Sequence, residues 1–222
     1  VSQVPVILLG AGGHAKVVLD LLQALERRVL GICDPVLAAQ GADIWRGLPV
    51  LGDDTIINRY EPASIELANG TGSLPGKPLR RRLHAHFNRL GYRFATLVHP
   101  HAHVGSGVKL GQGVQLMAGV IVQADTCLGD DVILNTGARV DHDSVIGDHV
   151  HLAPGAVLSG NVQVGEGGHI GPGATVIHGV RIGVGAIVGA GTTVVRDIPA
   201  WHQQTGQPAR KSQEIHTESK NT

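Results

Sequence analysis

The sequence predicts two unlike units in series, a small α/β unit with a parallel sheet and then a parallel β-helix. Over the first ~95 residues, strand-like and helix-like segments alternate, the order that builds right-handed β-α-β crossovers. From Val98 the period changes. Val98, Val104, Leu110, Leu116, Val122, Leu128, Leu134, Val140, Ile146, Leu152, Leu158, Val164, Ile170, Val176, Ile182, Val188 and Val194 stand six apart without a break, and all 17 are Val, Leu or Ile. Neither an α-helix nor an ordinary sheet holds a period of six for about a hundred residues, whereas stacked hexapeptide coils do.

Three divisions follow: residues 1–95 as a Rossmann-like half domain, 96–199 as the β-helix and 200–222 as a tail. In the first, "VPVILLG" reads as a buried strand. "HAKVVLDLLQALERR" has helical spacing, with Val17, Val18, Leu21, Leu22 and Leu25 on one apolar face. "VLGIC" and "ASIELAN" are further strands, "LRRRLHAHFNRLG" is a helix closed by Gly91, and "YRFATLVHP" returns as a strand. In the second unit, the first and fifth positions of each hexad point inward and positions two to four turn the corner. The residue after the apolar one is Gly in eight hexads. Three hexads close a triangular coil of about 18 residues, and five to six coils stack at ~4.8 Å.

The stretch "VDHDSVIGDHVHLAPG", Val140 to Gly155, concentrates histidine and aspartate, as a metal site, an acid–base pair or a polar surface would. The register separates its members. His142 is third in its hexad, on an outward corner, with Ala124 one coil before it and Gly160 one coil after. Asp143 adjoins it, and a carboxylate beside an imidazole raises its pKa and fixes its tautomer. That suits a general base. Ser144 is at an inward position, so no nucleophile stands beside the pair. His151 faces out on a strand, one coil before His169, and His149 reads as surface.

Composition excludes other classes. Lys plus Arg equals Asp plus Glu, 18 each, and only 3% of residues are aromatic, so neither nucleic acid nor an anionic membrane is an expected partner. Cys33 and Cys127 form no CxxC and read as reduced thiols of a cytoplasmic protein. The apolar run at the start is too short to span a bilayer and lacks the features of a signal peptide.

"LLGAGGHAKVVLDLL", "GICDP", "LANGTGS", "LNTGARVDHDSVIGDHVHLAPGAVLSG" and "TGQPARK" together resemble the left-handed β-helix sugar acyltransferases. That family contains the bacillosamine- and perosamine-type nucleotide-sugar N-acetyltransferases and the sialic acid O-acetyltransferases. The resemblance implies a cytoplasmic homotrimer in surface glycan (O-antigen) biosynthesis. It would transfer acetyl from acetyl-CoA to a nucleotide-linked 4-amino-4,6-dideoxysugar, with no metal. By position, His142 would be the base, Asp143 the acid that strengthens it, Asn135 a neighbour of the reacting amine and Gly160 the amide facing the thioester oxygen. His151, Pro172 and Ala190 would meet acetyl-CoA, and Arg210 and Lys211 its phosphates. Gly12, Gly13, His14, Asp34 and Gly70 would hold the nucleotide.

Two other readings come from the residues. "GAGGHA" with Asp34 about twenty residues on imitates a dinucleotide fingerprint, but the second mononucleotide half is missing, and the same turn can hold a nucleotide diphosphate. His142, His149 and His151 could serve a trimeric zinc lyase of the β-helix carbonic anhydrase type. O-acetylation of a sugar such as sialic acid, or a non-catalytic sugar-binding scaffold, completes the alternatives.

Overall fold

The computed structural model describes residues 4–206. Strands β1 (Val6–Leu9), β2 (Val29–Cys33), β3 (Ile44–Trp45), β4 (Leu48–Gly52), β5 (Glu66–Asn69) and β6 (Arg93–Phe94) form one sheet in the order β3-β4-β2-β1-β5-β6. All pairs are parallel except β3–β4, a hairpin absent from the sequence reading. Its two turn residues, Arg46 and Gly47, both have positive φ, at 48° and 83°. That is the geometry of a two-residue primed turn, in which Arg-Gly is a weaker signal than Asn-Gly.

Helix α1 (Gly13–Ala24) buries Ala15, Val18, Leu19, Leu21 and Leu22 against this sheet. Val17, expected on the same face, is 40% exposed; the buried stripe is rotated toward Leu19. A short helix, α2 (Pro35–Ala39), follows β2. Helix α3 (Leu79–Arg89) stops at Leu90, and Gly91 turns away at φ 87°. The expected single strand over "YRFATLVHP" is two: β6 closes the first sheet and β7 (Leu97–Val98) opens the prism.

From β7 to β23 (Thr193–Val194), two-residue strands recur every six residues and stack as three parallel sheets. Register runs 18 residues per coil, as in Gln115↔Ile133 and His151↔His169. From Leu116 on, every first-position residue is buried; at the open end Val104 is 37% exposed. From the hexad of Val104 to that of Val188 the fourth position is left-handed, and where it is not glycine it is Asp125, Asp131, Asp143, His149 or Asn161, types that tolerate this region best. Second-position glycines have another cause: a Cβ on Gly165 would lie 2.6 Å from the Val184 amide of the next coil. The chain is a left-handed β-helix behind a Rossmann-like half domain, as expected. Among the described residues, no helix is long and apolar enough to cross a membrane.

Candidate active site

A cavity of about 920 Å³ opens where the α/β unit meets the prism. Its walls include the Gly10–His14 turn, Asp34, the 70–74 segment, and Asn135, Thr136, His151 and Pro154 of the β-helix. Gly12 and Gly13 begin α1, and nothing lies within 4 Å of where their Cβ atoms would be. The first helical turn, whose amides have no partner within the helix, therefore borders the cavity with no side chain in the way, a ready anion site. Asp34 acts by holding the turn. Its carboxylate accepts from the Ala11, Val36 and Leu37 amides, each at 2.9 Å, capping α2 and tethering the glycine-rich loop. Gly70 is required by packing, since a Cβ there would lie 2.7 Å from the Leu9 carbonyl oxygen.

Two histidines, His151 buried and His14 partly so, join this cavity to the β-helix. Gln115 donates from Nε2 to the Asn69 carbonyl (2.9 Å), so its Oε1 accepts from His14 Nε2–H (2.8 Å). Burial, aided by Arg80, lowers the His14 pKa to about 4. His151 donates from Nδ1 to the Ser73 carbonyl (2.9 Å), leaving Nε2 as an acceptor 3.3 Å from Asn135 Nδ2. Burial and the neighbouring His169 lower its pKa to about 3. His151 does point away from the prism core, but it lies beneath the α/β unit and is only 8% exposed.

Both rings stay neutral in the fold while the unfolded chain takes up protons near pH 6.5. Stability is therefore whole above that pH and falls as pH drops toward 4. Between pH 7 and pH 5 each ring should cost about 2 kcal/mol. Urea midpoints should show the loss, and His151→Gln should remove its share; equal midpoints at both pH values would refute this.

A second cluster occupies a different prism edge. Asp143 sits at φ 58°, and its Oδ2 lies 2.7 Å from His142 Nδ1. The His142 amide donates to Asp141 Oδ1 (2.8 Å). The hydrogen bond to Asp143 is the main cause that raises the His142 pKa, with burial opposing it and the charges of Asp141 and Asp143 assisting. Nε2 is thereby left outward as the basic atom. It lies against Gly160, where a Cβ would come within 2.6 Å of it. The Gly160 amide donates no hydrogen bond among the described residues. Ser144 is buried and turned inward.

The PglD N-terminal domain family matches residues 5–77, and the bacterial transferase hexapeptide (six repeats) family matches residues 143–178. The acetyltransferase domain of PglB from Neisseria gonorrhoeae FA1090 is 35% identical, with a TM-score of 0.85 over 94% of this chain and 99% of that one. PerB from Caulobacter crescentus, whose structure holds CoA and GDP-perosamine, is 40% identical, with a TM-score of 0.82 over 93% and 96%. The chain belongs to the hexapeptide-repeat sugar acyltransferases. WeeI from Acinetobacter baumannii AYE is a more distant neighbour at 26% identity, with a TM-score of 0.81 over 94% and 99%. No curated protein sequence matches.

In this sugar acyltransferase the expected site residues fall into two groups. Asn135, Pro172 and Ala190 follow strands of the face that carries His151 and meets the α/β unit. His142, Asp143 and Gly160 follow strands of the next face, and none of them lines the cavity. Within one chain the two groups therefore stay apart. Arg210 and Lys211 lie outside the described residues.

His149, expected on the surface, is a correction. Its Nδ1 lies 3.1 Å from Asp131 Oδ2, and its side chain is 15% exposed. Asp131 also takes Arg80 from α3 at 2.6 Å, with both side chains buried. Arg80 further donates to the carbonyls of Asn69 and Thr71 (2.9 Å each), tying the cavity wall to the prism. The three histidines of the zinc reading thus face separate partners. Among the described residues, no group of three or more His, Cys, Asp or Glu is placed to hold a metal ion. Sequence reading also missed Gln115, Ser73 and His178. The last was within reach, because it stands two coils, or 36 residues, beyond His142.

Proposed function

We propose that this acyltransferase moves an acetyl group from acetyl-CoA to the amine of a nucleotide-linked 4-amino-4,6-dideoxysugar. The observation that carries this reading is a relative, 40% identical over nearly the whole chain, whose structure holds both CoA and GDP-perosamine. The helix amides at Gly12 and Gly13 suit the diphosphate, and the cavity leads from them to Asn135 and His151.

His142 takes the proton that the amine sheds as its nitrogen bonds to the acyl carbon. Asp143 holds the resulting imidazolium. The free Gly160 amide donates to the oxygen as it becomes an oxyanion. Collapse expels the thiolate, to which His142 returns the proton. Because His142 stands on a different edge from the cavity, the reading calls for one chain's His142 to face the cavity and the Pro172–Ala190 edge of another. A cytoplasmic homotrimer serving surface glycan synthesis fits that need, and sedimentation should find three chains per particle.

The test follows thiol release from acetyl-CoA with UDP-, GDP- and dTDP-linked 4-amino sugars and with free sialic acid. Turnover with an amino-sugar nucleotide is the expected result. Turnover of sialic acid alone would replace N-transfer by O-transfer, and thiol release with none would overturn the reading.

A further inference from the structure

We propose that His178 is a second histidine at the transfer site, donating a hydrogen bond to the thioester sulfur as it departs. This rests on the acetyl-transfer reading above. His142, Gly160 and His178 occupy the third position of their hexads in three successive coils, so they form one column on one prism edge. Gly160, lying between the histidines, has no side chain, and their ring centroids come within 6.3 Å across it. The Gly160 amide in that gap, which donates no hydrogen bond among the described residues, is the one assigned to the oxyanion.

His178 is exposed, and its ring nitrogens have no hydrogen-bond partner among the described residues. A ring that makes no hydrogen bond to the protein, two coils from the base and on the same edge, is free to serve whatever lies between them. Heights along the prism agree. His178 shares a coil with Pro172, and Gly160 shares one with Pro154. A pantetheine chain passing Ala190 and then Pro172 of a facing prism at equal height would reach His178 just before the Gly160 amide.

The chemistry is then complete at one place. The amine nitrogen bonds to the acyl carbon and its proton goes to His142. The C–S bond breaks, its electron pair stays on sulfur, and the His178 N–H holds that sulfur while His142 delivers the proton to it. Products are the N-acetyl sugar and the free thiol, with both imidazoles returned to their starting state.

The experiment compares the full-length protein with His178→Ala and His178→Gln. It uses acetyl-CoA and whichever amino-sugar nucleotide the wild type turns over fastest. The expected result is a loss of kcat of about tenfold or more in His178→Ala, by analogy with removal of a donor from a transition-state site. The KM for the sugar and the Tm should be unchanged, and His178→Gln, which keeps an N–H donor, should recover part of the rate. Unchanged kcat in His178→Ala overturns the proposal, as does a rise in the acetyl-CoA KM alone. If the wild type releases no thiol with any acceptor, the function fails before any substitution is made, so the two failures are told apart.

Discussion

Replacing His142 with alanine should lower kcat by about 10²–10⁴-fold, the usual contribution of a general base, while acetyl-CoA still binds. His142 is half exposed, and its neighbours are Asp143, Asp141, the Gly160 backbone and the exposed His178 ring, so the fold should survive and the loss should be one of rate. Asp143→Asn separates basicity from presence. Asp143 holds the His142 pKa above the ordinary imidazole value, so the wild-type rate should fall on acidification through that raised pKa. In Asp143→Asn the acid limb should move to lower pH, with a lower plateau because the base is weaker. Initial rates of thiol release across pH check both statements. Near-wild-type turnover by His142→Ala would remove the mechanism while leaving the substrate assignment standing.

Asp131→Asn should produce the largest loss of stability, about 3 kcal/mol, the lower end of the range for removing one partner of a buried ion pair. Asn is the informative replacement because position 131 is left-handed, at φ 55°, and Asn tolerates that region. It leaves the Arg80 guanidinium buried without its counter-charge and weakens the contact to His149. The effect should reach function as well, since Arg80 holds the Asn69 and Thr71 carbonyls beside the cavity. The KM for the nucleotide sugar should therefore rise. Adding Arg80→Met to Asp131→Asn should restore stability, because a buried apolar chain needs no counter-charge, but should not restore the KM. Denaturant titration and steady-state kinetics on the three variants test this, and an Asp131→Asn variant as stable as wild type would contradict it.

Sequence reasoning succeeded where the cause of a feature is local. Each inward side chain of the prism recurs at a fixed interval, so one register locates corners, faces and columns, and Gly160 could be placed beside His142 by counting. Asp143 adjoins His142 in the chain, so their pairing needed no long-range contact. Failures came where a distant element sets the environment. His151 and His149 do leave the prism as the register requires, yet the α/β unit comes to rest on them. The face of α3 that does this covering carries Arg80 and His84 beside Phe87. It reads as polar because its partners, Asp131 and His149, are polar too.

The repeat by itself determined the β-helix, the outward course of every histidine in it and the His142–Asp143 pair, because a period of six admits one inward set and one outward set. Tertiary structure alone decided which outward residues are wet. It brought Ser73 over His151, closed a cavity between the glycine-rich turn and Asn135, and put His142 on an edge that this cavity does not reach. The physical reason is that docking of the α/β unit depends on shape and on buried charge pairs between residues such as Arg80 and Asp131, 51 positions apart, and no interval along the chain encodes that contact.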